Sequence, residues 1–413
     1  MNALSALTPE VRQYLLVTGN YWAFTLTDGA LRMLVVLHFH ALGYSPLQIA
    51  ALFLFYEFFG VVTNLVGGYL GARLGLNRTM NIGLAIQVVA LLMLTVPSVW
   101  LTIPWVMGAQ ALSGIAKDLN KMSAKSSIKL LVPDGQQGKL YQWIAILTGS
   151  KNALKGVGFF LGGALLAAVG FKGAVLAMAI VLGLIWISSL ILLKKDLGKA
   201  KAKPKFREIL SKSRAINILS AARMFLFGAR DVWFVVALPV YLSTAFGWDV
   251  WKVGGFLAAW VIGYGIVQSF APSITGKKNG RVPDGRAAFL WALPLALLPG
   301  AIALGLNTGL SEHVVLLGGL MVFGVLFAVN SSLHSYLIVS YAKEDGVSLD
   351  VGFYYMSNAV GRLIGTVLSG WIYQVYGLSA CLWISSAFVL LAALISIALP
   401  RHVKKSVRLD ILR

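Results

Sequence analysis

Twelve apolar stretches of about 20 residues or more recur along the chain, separated by short polar breaks. A helix rises about 1.5 Å per residue, so each stretch can cross the roughly 30 Å hydrocarbon core of a bilayer. Lipid offers no partners to backbone N–H and C=O groups, and a helix pairs them within its own segment. The stretches fall near residues 14–41, 47–71, 79–98, 102–126, 139–169 and 173–193, then near 216–245, 250–273, 287–306, 313–341, 349–376 and 379–400. The expected fold is therefore all-α and integral to a membrane, with twelve transmembrane helices. Composition agrees: 58% of the 413 residues are hydrophobic and 12% are charged, too apolar for a soluble globular domain.

A net charge of +20 would suggest nucleic acid as a partner of a soluble protein, but here its distribution points elsewhere. With a cytoplasmic amino terminus, the inside loops and tails hold 24 of the 35 Lys and Arg. These include Arg73, Arg78, Lys129, Lys139, nine between Lys194 and Arg214, and those from Arg401 to Arg413, whereas the outside loops hold only Lys172 and Lys252. This asymmetry places both termini in the cytoplasm of a cell whose inner, plasma membrane the chain crosses many times. No nucleic acid is needed to explain the charge. The single cysteine, Cys381, leaves no disulfide framework or cysteine metal cluster, and neither a cofactor nor a metal is called for. The opening MNALSALTPEVRQ lacks the pattern of a cleavable leader, so the first helix is expected to remain.

The segment KKDLGKAKAKPKFREILSKSR, Lys194 to Arg214, is polar and lysine-rich. It divides the chain into an amino-terminal six-helix bundle (1–193), a cytoplasmic basic linker (194–214), a carboxy-terminal six-helix bundle (215–400) and a cytoplasmic basic tail (401–413). The halves echo each other. LGYSPLQIAALF after the first helix matches FGWDVWKVGGFL after the seventh, and SKNALKGVGFF in the fifth matches SNAVGRLIG in the eleventh, pairing Asn152 with Asn358. Two similar halves, a basic central loop and GGYLGARLGLNR between helices two and three resemble the major facilitator superfamily. Gly68, Arg73, Gly75 and Arg78 stand where that family's gating-loop signature has them, but Ala72 occupies its usual acidic position. Arg73 and Arg78 serve either that latch or simple inside anchoring. The fold implied is two pseudo-symmetric bundles, working as a monomer.

The expected spans contain nine cations, Arg32, Lys117, Lys121, Lys125, Lys151, Lys155, Arg223, Arg230 and Arg362, against four anions, Asp28, Glu57, Asp118 and Asp231. Each charge at a helix centre costs roughly 2.5–3.5 kcal/mol on insertion scales, so these side chains should face a cavity or a partner. Complete pairing still leaves five positive charges. Lys125 and Arg223 lie near the cytoplasmic ends of their helices and are expected to snorkel to the headgroups. Asp28 and Arg32, four residues apart, are placed to pair on one face, as are Asp118 and Lys121. Arg230 adjoins Asp231 without facing it, and Lys117, Lys151 and Lys155 have no local partner. Lys117, Lys121, Lys125 and Lys129 advance about 40° per four-residue step, a slowly turning stripe that reads as an anion entry path from the cytoplasm.

The resemblance implies a central cavity lined by helices one, four, seven and ten, with five and eleven beside it. Guanidinium and ammonium groups there suit phosphate, arsenate or several carboxylates. The candidate substrate-binding residues are Arg32, Lys117, Lys121, Lys151, Lys155, Arg230 and Arg362, with Asn152, Asn330, His334, Tyr355 and Asn358 as hydrogen-bonding groups that serve either a ligand or helix packing. Asn20, Tyr21, Trp22 and Tyr354 carry the same two readings. His38 and His40 do not share a helix face, which argues against a metal site. Gly156, Gly158, Gly162 and Gly163 are expected to permit close helix packing. Asp28, Glu57 and Asp231 are the candidates for carrying a coupling proton.

TGNYWAFTLTDGALRMLVVLHFHALG, SGIAKDLNKMSAKSSIKLLVPDG, TGSKNALKGVGFF and FGARDVWFVVALPVYL resemble the ArsJ-type organoarsenical efflux permeases of bacterial arsenic resistance, and the similarity runs to the last helix. The resemblance implies export of 1-arseno-3-phosphoglycerate, made by a companion glyceraldehyde-3-phosphate dehydrogenase and hydrolysed outside to release arsenate. It assigns no site motif to individual residues. An organophosphate/phosphate antiporter would need a similar cationic cavity and is the alternative. A proton-driven exporter of lipophilic cations would call for acidic excess, and a membrane enzyme for clustered nucleophiles or an acid and base, neither of which the sequence offers.

Overall fold

The computed structural model describes residues 8–44, 48, 49, 52–193, 197–201, 210, 212–275 and 282–401. Parts of the 194–214 linker and residues 402–413 of the expected tail lie outside these. The described residues are helical almost throughout, with no strand among them. The helices are α1 (Pro9–Ala41), α2 (Leu54–Leu74), α3 (Leu76–Met93) and α4 (Ile103–Leu131). The stretch Gln137–Leu192 turns at Gly170, where φ is 71°, and so forms α5 (137–169) and α6 (171–192). α7 is in two pieces, Arg214–Phe234 and Ala237–Thr244, followed by α8 (Val250–Ile274), α9 (Gly285–Gly305) and α10 (Glu312–Tyr341). Val347–Ser396 turns at Gly377, where φ is 77°, and gives α11 (347–376) and α12 (378–396). A positive φ is cheap only for glycine, and at both junctions the chain reverses with no loop.

Twelve spans are thus present, as the apolar pattern predicts, with one difference in kind. The seventh is broken at residues 235 and 236, because Pro239 has no N–H to donate to the carbonyl of Val235 and its ring crowds that carbonyl. Side chains such as Leu184, Ile191, Phe270, Leu297 and Trp371 stay exposed, as suits surfaces turned toward lipid.

Pairs of glycines set the approach of helices in both halves. A Cβ on Gly158 would lie 2.7 Å from the Leu26 carbonyl oxygen of α1, and one on Gly365 would lie 2.6 Å from the Gly228 carbonyl oxygen of α7. The α1–α5 crossing is therefore repeated as α7–α11, the pseudo-symmetry that the matched segments imply. Gly156, Gly158 and Gly162 all serve close packing, as expected, whereas Gly163 meets only the end of Leu37 at 3.8 Å.

One hydrophobic core lies within residues 226–393, built around Trp233, Phe323 and Phe327. The other runs from the first half into the ends of α10 and α11, taking in Val329, Tyr336, Val347 and Tyr354. The two halves therefore share a core at the end of the molecule where α1 begins and α12 ends, termed the basal face. Hydrogen bonds close this seam: Ser348 Oγ to the Gly68 carbonyl at 2.8 Å, Lys129 Nζ to the Ser340 carbonyl at 3.1 Å and Tyr336 to Gln137 at 3.1 Å.

Gly68 makes the seam possible. A Cβ there would lie 2.5 Å from the Ser348 carbonyl oxygen and 3.1 Å from Gly352 Cα. Gly68→Ala is expected to hold the basal face apart rather than unfold either half, at a cost of about 1–3 kcal/mol to the closed state, a shift of roughly five- to 150-fold. Spin labels on the basal ends of α2 and α11 would register it as a longer distance.

Candidate functional site

α1 and α2 bring Asp28, Arg32, Tyr56 and Glu57 together. The Tyr56 hydroxyl donates to both oxygens of Asp28, at 2.8 and 3.1 Å, and its ring lies 4.8 Å from the Arg32 guanidinium. Arg32 donates instead to Glu57 at 3.1 Å. The expected Asp28–Arg32 pair does not form, because Tyr56, a residue that spacing along α1 could not reveal, stands between them. Its ring also carries Lys117 Nζ, 3.8 Å from the centroid.

On α4, Asp118 is the anionic centre. Lys121 Nζ lies 2.5 Å from its Oδ1, the expected pair, and Lys117 Nζ lies 3.9 Å from its Oδ2. Lys117 therefore has a local partner that the sequence reading denied it, since a lysine can fold back onto the next residue. Arg230 corrects the reading in the same way. Its guanidinium curls back to Asp231, Nε 2.6 Å and Nη2 2.5 Å from Oδ1.

Arg362 of α11 joins the halves. Its Nε donates to the fully buried Asp231 at 3.0 Å, and its Nη2 lies 3.7 Å from Glu57. Arg32, Glu57, Arg362, Asp231 and Arg230 thus form a chain of alternating charge from α1 to α7. Glu57 and Arg362 are also its most open members, with 38% and 35% of their side chains accessible.

Four cations remain without a carboxylate within 4 Å among the described residues: Lys125, Lys151, Lys155 and Arg223. Lys151 and Lys155, half-buried on α5, are as expected, and Lys151 has only the Asn152 side-chain oxygen at 3.3 Å. Lys125 and Arg223 contradict their expected place at the headgroups. Each is only 3% exposed, between the two halves. α4 runs on to Leu131 and α7 starts at Arg214, so both cations lie deeper than the apolar pattern suggests.

The neutral candidates divide. Tyr355 accepts a short hydrogen bond from Lys125 and lies under Lys121, while Asn358 accepts from Arg223 at 2.8 Å. Asn152 donates to Gln268 at 2.6 Å, and Gln268 passes on to Ser331 at 3.1 Å, joining α5 to α8 and α10. Asn330 turns away to the Trp291 and Leu326 carbonyls and serves packing, as Asn20 does through Ser189. His334 is buried, with no partner for Nδ1. In the loop after α2, Gly75 has a φ of 96°, and Arg73 is exposed and held by the Tyr69 hydroxyl at 2.6 Å. Arg78 is exposed as well, whereas Gly68 and Gly75 are buried, Gly68 against Ser348 and Gly352 of the other half.

Sequence comparison settles the architecture. Residues 15–347 match the model of the Major Facilitator Superfamily. The chain belongs to that superfamily. No curated protein matches it. Solved structures with the same fold include the human organic anion transporter MFSD10 (TETRAN), at 16% identity over 94% of this chain and 100% of that one, with a TM-score of 0.73. A bacterial homologue of the iron transporter ferroportin in its outward-facing state gives 16% identity over 94% and 98%, TM-score 0.74. The E. coli fucose:proton symporter FucP gives 12% over 94% and 99%, TM-score 0.72. These likenesses establish the fold, and family membership makes the protein a membrane transporter.

Glu57 occupies Arg32 and approaches Arg362, so it would compete with any anion offered to those two groups. Glu57→Gln should tighten anion binding, opposite in sign to loss of a cation. The pair is partly open to solvent, so the gain should be about 1 kcal/mol, roughly fivefold. Calorimetric titration of the purified transporter with 3-phosphoglycerate reads it.

Proposed function

We propose that the protein exports a multiply charged organic anion, 1-arseno-3-phosphoglycerate, across the inner membrane of a bacterium by alternating access, and so confers arsenate resistance. The observation that carries the anionic class is the set of cations without carboxylate partners, above all Lys151 and Lys155. Nine positive groups share four carboxylates, and an anion entering the cavity supplies what the protein lacks. The choice of an arseno adduct rests on the resemblance of the polar phrases in helices one, four, five and seven.

The basal face is then cytoplasmic, where a glyceraldehyde-3-phosphate dehydrogenase delivers the adduct. A phosphate at one end and an arseno-ester at the other need separate cationic partners, and cations stand on both halves, Lys151 and Lys155 on one and Arg362 on the other. Outward movement of a polyanion from a cell with a negative interior is electrically downhill, so a favourable gradient suffices. A coupling proton would fall to Glu57, the most open carboxylate, rather than to the buried Asp28 or Asp231.

Everted membrane vesicles test this. Uptake of the enzymatically formed adduct, with neither plain arsenate nor 3-phosphoglycerate taken up comparably, is expected, with and without an imposed pH gradient. Preferential exchange of 3-phosphoglycerate for phosphate would favour an organophosphate antiporter, and absence of adduct uptake would overturn export.

A further inference from the structure

Lys125 and Arg223 come from opposite halves yet are held by the same two helices. Lys125 Nζ donates to the Tyr355 hydroxyl and, at 3.5 Å, to Ser335 Oγ. Arg223 donates through Nε to Asn358, and through Nη1 to the Ser331 carbonyl at 3.3 Å and Oγ at 3.4 Å, with its guanidinium stacked 3.7 Å from the Phe227 centroid. Ser331 and Ser335 are one turn apart on α10, and Tyr355 and Asn358 one turn apart on α11. The two cations therefore grip successive turns of α10 and α11, Lys125 from across the seam and Arg223 from within its own half.

Every oxygen they reach is neutral. Two ammonium and guanidinium charges, both 3% exposed and without a carboxylate in range among the described residues, are an expensive arrangement if stability alone is at stake. It becomes economical where a mobile anion supplies the counter-charge for part of the cycle. The hydroxyl and amide oxygens then act as stand-ins, accepting hydrogen bonds without competing electrostatically for the cations.

The seam also moves with the transport cycle. Rocking one bundle against the other to open the basal face draws α4 away from α10 and α11. Lys125 must leave Tyr355 and Ser335 and comes to line the basal mouth between Lys129 and Lys121 on the stripe, with Arg223 of α7 uncovered on the other half. Arginine offers a planar fork to two oxygens of a tetrahedral oxyanion and lysine a point charge to a third.

We propose that Lys125 and Arg223 form a reception site for a phosphate-class oxyanion, filled when the basal seam is open and emptied as it closes. Closing returns Tyr355 and Ser335 to Lys125, so the seam and the anion compete for its N–H donors, while Arg223 keeps Asn358 and Ser331 of its own half throughout, and the anion passes inward toward Lys121 and Lys151. This rests on the anion-transport reading and adds to it the entry site and a means of release.

The test uses the purified full-length protein, with inorganic phosphate and 3-phosphoglycerate as probes, and reads calorimetric affinity together with the thermal midpoint. Lys125→Met and Arg223→Met are each expected to lower affinity for both probes by at least about tenfold. They should leave the midpoint without ligand unchanged or raised, and Arg223→Lys should recover part of the affinity. If the wild type binds the probes and these variants bind them equally well, the reception site is wrong while anion transport stands. A lowered midpoint with unchanged affinity would make the pair a structural tie and would also overturn it. Wild-type protein that binds neither probe would overturn the reception site for a phosphate-class oxyanion, while export itself stands or falls on adduct uptake into vesicles.

Discussion

Lys155→Met and Lys151→Met should each cut transport by about two to three orders of magnitude, with normal amounts of protein in the membrane. Truncating one partner of a buried, hydrogen-bonded charge pair costs about 2–5 kcal/mol, and here the other partner is the cargo. Among the described residues neither lysine holds a carboxylate, so its loss strands no charge there. The folded protein should be as stable as before or slightly more so, since an uncompensated, half-buried cation has gone. Lys172→Met, at an exposed position in the first turn of α6, is the control and should change nothing. Transport and thermal midpoint must be measured on the same preparations, because their divergence is the result that matters.

Asp231→Asn should do the reverse. Its carboxylate is fully buried and takes both Arg230 and Arg362. Without the charge, two guanidinium groups face each other with only Glu57 near, and breaking a buried pair this way costs about 3–5 kcal/mol. A marked fall in the thermal midpoint is expected, and transport should fail for want of folded protein. Arg230→Met in the same chain should restore much of the stability, since Arg362 can then rely on Glu57. If the two substitutions merely add, the charge chain is not one unit.

Much of the architecture can be read from the apolar pattern, because lipid leaves helices as the way to satisfy a backbone. Even the sharp turns at Gly170 and Gly377 fall within the breaks that the pattern leaves. The break in α7 could have been found from Pro239. The site was legible in kind rather than in detail. Counting charges shows the positive excess, but distance along a helix gives depth alone and says nothing of the neighbour across the gap. Asp28 turned to Tyr56 and Arg32 to Glu57, on a helix that the reading of α1 left out. Lys125 and Arg223 were misplaced because burial between two bundles and emergence at headgroups look the same in a sequence. The neutral oxygens at 331, 335, 355 and 358 show their meaning only once α10 and α11 are set side by side.

The positive excess among these helices serves an anionic cargo. Purified protein reconstituted into liposomes, given either the dehydrogenase-generated arseno adduct or a lipophilic cation, tests it most directly. The account predicts saturable movement of the adduct by the wild type, lost in the Lys151→Met, Lys155→Met double variant, and no movement of the cation. Movement of the cation, or movement of the adduct that survives loss of both lysines, would contradict it.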